Sequence, residues 1–130
     1  GEGQCLPLME FMSCGKPAVA PCTTAMIDYM NADNAFLIEA TEQFTAWPHD
    51  RRSAYRTLRY ATSWASICAA YTASYDVAQN DPQRYATMSA QAVVSLEAFC
   101  SQAVAEQRLR AFLASLLQAR AEMATEVIGA

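Results

Sequence analysis

Four of the nine basic residues fall within nine positions, at Arg51, Arg52, Arg56 and Arg59. On a helix, Arg52, Arg56 and Arg59 share one face at i, i+4 and i+7. Guanidinium forks grip carboxylates through two parallel N–H bonds, so the chemistry this spacing offers is recognition of an acidic protein surface. Cations in the first turns of a helix oppose its macrodipole, which makes the cluster costly to keep without a use. The plainer alternative is a surface network in which Glu39 and Glu42, on a preceding antiparallel helix, face these arginines. Beside the cluster run Tyr60, Trp64, Tyr71 and Tyr75, an aromatic stripe that suits a binding hot spot, a ligand pocket or a core with its hydroxyls reaching water. Arg52, Arg56, Arg59, Tyr60 and Trp64 are therefore the candidate partner-binding residues.

A second group carries sulfur. Cys5, Met9, Met12 and Cys14, with Met26 and Met30 further on, are soft donors of the kind that select Cu(I), but their spacing matches no defined metal signature. Three cysteines lie in the first 22 residues, which reads as stapling of a loop-like arm. Cys5, Cys14, Cys22 and Cys100 are the disulfide candidates, and the odd count of five leaves one thiol over. In a regular hairpin closing near residue 80, Cys68 and Cys100 sit about 10 Å apart along the axis, beyond the roughly 7 Å a disulfide spans. His49 is the single histidine. It excludes multi-histidine zinc sites and paired Glu-x-x-His di-iron sites. The chain has neither a CxxCH haem-attachment motif nor a glycine-rich phosphate loop. These residues point to no catalytic group, metal or cofactor, and to a protein that is not an enzyme.

Alanine supplies 26 of the 130 residues, and most of the glycines and prolines are spent by residue 48. That composition predicts helices. The first runs over about Thr23–Trp47, with Met26, Met30, Leu37, Ala40, Phe44 and Trp47 on one face and an interruption at Asp33–Asn34. The second runs over about Asp50–Gln79. Asn80-Asp81-Pro82 punctuates the chain, with Asp81 capping the next helix and Pro82 in its first turn. An unbroken helix from Pro82 to Ile128 would be about 70 Å long, so a break is expected near Ser101–Gln107. The last helix then buries Leu109, Phe112, Leu113, Leu116, Leu117, Met123 and Val127. The predicted fold is all-α: an antiparallel up-down four-helix bundle over residues 23–128, with an irregular disulfide-tied arm over residues 1–22, in a single domain of 130 residues.

Hydrophobic residues make up 53% of the chain and charged residues 17%, which excludes a disordered polyelectrolyte. No window reaches the length of a membrane span. A net charge of −4 argues against nucleic-acid binding. The clustered cysteines, and a chain that starts Gly1-Glu2-Gly3 as after removal of a signal peptide, predict a periplasmic or secreted setting. The function expected is that of an inhibitor, immunity protein or adaptor that binds another protein, with an acidic partner as the candidate. The alternatives are a carrier of a small apolar ligand or cofactor between helices, and a structural subunit of an envelope or secretion assembly.

Overall fold

A computed structural model describes residues 3–128, with side chains described as far as Arg120. Gly1 and Glu2, and the side chains of Met123 and Val127, lie outside the described residues. The chain divides into two compact units at Leu96/Glu97.

In the first unit, helix α1 (Leu6–Ser13) carries Pro7 in its first turn. It stops where Gly15, at φ +69°, donates its N–H to the Met12 carbonyl at 2.9 Å. Only glycine adopts that left-handed backbone without cost. Strand β1 (Ala18–Pro21) pairs in parallel with β2 (Ala35–Ile38), in a register running from Ala18↔Ala35 to Pro21↔Ile38. The crossover between them holds a 3-10 turn over Thr24–Asp28 and a tight turn at Asn31–Asn34. Strand β3 (Ala40–Ala46) folds back antiparallel on β4 (Arg56–Thr62), from Ala40↔Thr62 to Ala46↔Arg56. Helix α2 (Trp64–Asn80) follows, capped by the Ser63 hydroxyl, which accepts from the Ser66 N–H. Helix α3 (Pro82–Cys100) begins where Asp81 accepts the Arg84 N–H at 2.9 Å, as its Asn-Asp-Pro start predicts.

The second unit contains α4 (Gln102–Ile128). The break before it falls at Ser101, whose hydroxyl accepts the Val104 N–H, at the N-terminal edge of the interval expected. Among the described residues no helix is long and apolar enough to cross a membrane.

The architecture is mixed α/β, and the all-α four-helix bundle is overturned. Where a helix was expected over Thr23–Trp47, the chain forms a 3-10 turn and two strands; the expected helix over Asp50–Gln79 becomes helical only at Trp64. The physical reason is local. Ala40–Ala46 and Arg56–Thr62 carry threonine and aromatic side chains, which suit a pleated surface and lose rotamer freedom in a helix. The helical spacing of Met26, Met30, Phe44 and Trp47 is coincidental. Met26 and Met30 are buried, whereas Phe44 is 74% exposed.

The disulfide-tied arm is overturned as well. None of Cys5, Cys14, Cys22, Cys68 and Cys100 is joined in a disulfide. The arm is held instead by side chains that enter the body. Met12 is fully buried. The Tyr29 hydroxyl donates to the Gln4 carbonyl at 2.7 Å, and the Cys22 thiol donates to the Met30 carbonyl at 3.2 Å. Burial pushes the Tyr29 hydroxyl up to about 12, with the neighbouring Cys5 and Cys22 adding to the rise, so it stays a donor at neutral pH.

The core joins both halves of this unit. Phe36 of β2 packs with Val77 of α2 and Met88 of α3, flanked by Val19 and Tyr85. Burying a side chain of Phe36's size contributes about 2–3 kcal/mol. Among the described residues the buried polar side chain is Asn34, which is fully buried. Its Oδ1 accepts the Asn31 N–H at 2.8 Å. Its Nδ2 donates to the Tyr29 carbonyl and to Ser95 Oγ of α3, each at 2.9 Å.

Two outcomes check this description. Asn34→Ala removes a fully buried amide and leaves the buried Tyr29 carbonyl without that donor, and should cost about 2 kcal/mol in urea unfolding, more than a solvent-facing substitution. Alkylation of the denatured protein should label the same number of thiols with and without prior reduction. A larger count after reduction would reinstate a bridge.

Candidate functional site

The β3–β4 hairpin carries most of the predicted binding residues, in an arrangement the helical reading did not anticipate. Direct partners across an antiparallel pair project to the same side. Glu42, Phe44 and Ala46 of β3 therefore share a face with Tyr60, Leu58 and Arg56 of β4, while Gln43 and Arg59 lie on the other. Arg56 and Tyr60 thus share a face, four positions apart along β4. Arg59 is turned away from them. Arg52 lies in the connecting turn, and Trp64 opens α2 with 76% exposure. Strand alternation separates what a helix of period 3.6 would have aligned.

The turn is built on one carboxylate. Asp50 accepts backbone N–H bonds from Arg52 at 3.0 Å, Ala54 at 2.6 Å and Tyr55 at 2.9 Å. The Trp47 N–H closes the neck of the turn on the Tyr55 carbonyl at 3.0 Å. Ser53 takes the left-handed conformation at φ +52° that so tight a turn demands. The N–H of Tyr55, more than those of Arg52 and Ala54, holds the Asp50 carboxyl below its ordinary value, with desolvation opposing. This carboxylate positions the Arg51–Arg52 step and the aromatic pair Trp47 and Tyr55, which flank the turn. His49 stacks edge-on against Trp47 at 6.1 Å.

Charge on the hairpin is unbalanced. Glu42 accepts the Tyr60 hydroxyl at 3.0 Å, a bond that raises the Tyr60 value. Glu39 is fixed through its backbone N–H to Ser66 Oγ at 2.7 Å. Among the described residues the one ion pair is Arg110–Glu106, so Arg51, Arg52, Arg56 and Arg59 have none. The surface network with Glu39 and Glu42 does not form. All four arginines are exposed, as are Phe44, Trp47, Tyr55 and Leu58. Helix α2 adds Trp64, Cys68, Tyr71 and Tyr75, which recur at helical spacing and are all exposed, so the aromatic stripe is surface rather than core.

The sequence alone gives Asp50, Phe44, Tyr55 and Leu58 no binding role, and sets Phe44 on the apolar face of a helix. The alternation Phe44–Thr45–Ala46 and Thr57–Leu58–Arg59–Tyr60 was the available signal. Elsewhere, a groove of about 600 Å³ runs between β2 and α2, lined by Phe36, Leu37, Ala65, Ala69 and Ala73, with Arg84 and Glu39 also in its walls. Ala65, Ala69 and Ala73 are exposed, so a ligand there would keep one side in water, unlike one enclosed between bundle helices. Met12, Met26 and Met30 are core residues. Among the described residues no group of three or more His, Cys, Asp or Glu side chains could hold a metal ion.

Because the folded state holds Asp50 ionised, its contribution to the turn is present above the unfolded carboxylate value of about 3.9 and is lost as pH falls through the lower folded value. In an NMR titration the amides of Arg52, Ala54 and Tyr55 should shift together below about pH 3.9, and Asp50→Asn should abolish that transition. A shared midpoint at or above the ordinary value would contradict the geometry. No family model matches the chain, and no curated protein or solved structure matches it.

Proposed function

We propose that this chain is a protein-binding module that engages an acidic surface of another protein through its β3–β4 hairpin. The observation that supports this most directly is the set of four exposed arginines without ion pairs, in a chain whose net charge is −4. A protein with more acids than bases has carboxylates available to neutralise these arginines, which stand in the turn and on both faces of the hairpin. Here Glu42 is engaged by Tyr60 and Asp50 by backbone N–H groups, which leaves the guanidiniums open to an external acid. Arginine with exposed Trp47, Tyr55 and Trp64 is also the composition of interface hot spots, where desolvated aromatic area supplies affinity and guanidinium forks supply orientation. An inhibitor, immunity protein or adaptor uses a surface of this kind.

The periplasmic or secreted setting is a separate part of the proposal. The bridged cysteines that suggested it are not found, and binding through the hairpin does not depend on it.

The test uses a fluorescent peptide rich in glutamate and aspartate, titrated with the whole protein and followed by anisotropy at several salt concentrations. The parent protein should bind, and binding should weaken as salt rises. The triple variant R52E/R56E/R59E should lose at least about tenfold in affinity, since it converts attraction into repulsion at three exposed positions. The three side chains are exposed, so the fold should survive. Equal binding by parent and variant, or no binding by either, would overturn the reading.

A further inference from the structure

Helix α4 presents Leu109, Phe112, Leu113, Leu116 and Leu117 at i, i+3, i+4, i+7 and i+8. Each is about half exposed or more, from 49% at Leu113 to 68% at Leu117. An apolar stripe of this kind is what a helix normally buries, and here its five side chains are left exposed. We propose that it is covered by α4 of a second copy of this chain, in an antiparallel helix pair whose two-fold axis passes near Leu113.

The charges select this occupant. Glu106 stands seven residues before Leu113 and Arg120 seven residues after it, and both lie on the side of the stripe that Leu113 occupies. In an antiparallel pair centred on Leu113, Glu106 of each copy meets Arg120 of the other. The same surface therefore serves on both copies, as an isologous contact requires. A parallel pair would instead set Glu106 against Glu106 and Arg120 against Arg120.

Glu106 already holds Arg110 on its own helix, but through Oε1 alone, with Arg110 Nη2 at 2.6 Å and Nε at 3.1 Å. Oε2 is left for a second guanidinium. Arg120 has no ion pair among the described residues, whereas Arg108 lies over the Phe99 ring at 5.6 Å.

The composition of α4 disfavours the other common use of an amphipathic helix. Its charged residues are three acids and three arginines, not the basic face that seats a helix on an anionic lipid surface. Five half-exposed side chains amount to about 1,000 Å² across both copies, at the low end for a specific interface. The pair should therefore be reversible, with a dissociation constant in the micromolar range.

Sedimentation velocity of the whole chain from about 1 to 200 µM tests this. The parent protein should pass from monomer to dimer across that range. E106R and R120E should each raise the dissociation constant on the order of tenfold, because each reverses two symmetric contacts at once. The double variant E106R/R120E should return to within about threefold of the parent, although the Arg110 bond stays broken. Leu113→Asp should abolish the dimer while circular dichroism shows the rest of the protein folded.

A monomer at every concentration overturns the proposal. So does a dimer indifferent to the single charge reversals, one that survives Leu113→Asp, or a double variant no better than the singles. A monomeric chain that sediments with phosphatidylglycerol vesicles also overturns it, and would assign the face to lipid.

Discussion

The buried amide of Asn34 is the constraint on which the first unit rests. A carboxamide removed from water costs several kcal/mol unless its donors and acceptor are met. Here the Asn31 N–H, the Tyr29 carbonyl and Ser95 Oγ meet them. The first two bonds fold the crossover between β1 and β2 onto itself, and the third fastens it to α3. A helix through residues 29–34 would bring those groups to other positions and leave the amide unpaired in the interior. The strand β2 that follows is thereby aimed so that Phe36 reaches Val77 and Met88. Polar satisfaction at one residue thus decides the direction of the apolar element next to it.

The hairpin depends on that arrangement and contributes little to it. A two-stranded ribbon in water is marginal on its own strength. This one gains from the Asp50 turn, from the hydroxyl contact of Thr45 with Thr57 at 3.2 Å, and from its anchorage to β2 and α2 at either end. Its side chains are mostly exposed on both faces, so its conformation is specified by backbone pairing and turn chemistry rather than by a core. Side chains that do not hold the fold together are at liberty to recognise something else, and the arginines and aromatics are of this kind.

Parts of this were legible in the sequence. Asp81 and Pro82 mark the α2–α3 turn because capping and proline geometry act within four residues. The break at Ser101 follows from the length a helix can have in a small protein. The residues singled out for binding are exposed or partly exposed, and Arg56 and Tyr60 share a face. The strands were not legible, because a chain so rich in alanine weights every window toward helix, and because Met26 through Trp47 happen to fit a 3.6-residue period. Whether Asn34 interrupts a helix or anchors a crossover depends on Ser95, 61 positions away, which no local pattern reveals. The cysteines misled for a related reason. Clustering suggests a staple, but burial of Met12 and the Tyr29 bond to Gln4 already hold the arm.

That same distance has a kinetic consequence. Helices and hairpins close over short loops in microseconds, whereas a contact between residues 34 and 95 must wait for a much longer loop. During synthesis, the ribosome releases α1, both strand pairs and α2 before the segment that carries Ser95. Until α3 emerges, Phe36 has no Met88 to pack against and the amide of Asn34 lacks its third partner. The nascent chain therefore passes through an interval in which β1 and β2 expose an unfinished apolar face. Completion of α3, rather than formation of any strand, is the step that closes the unit against aggregation.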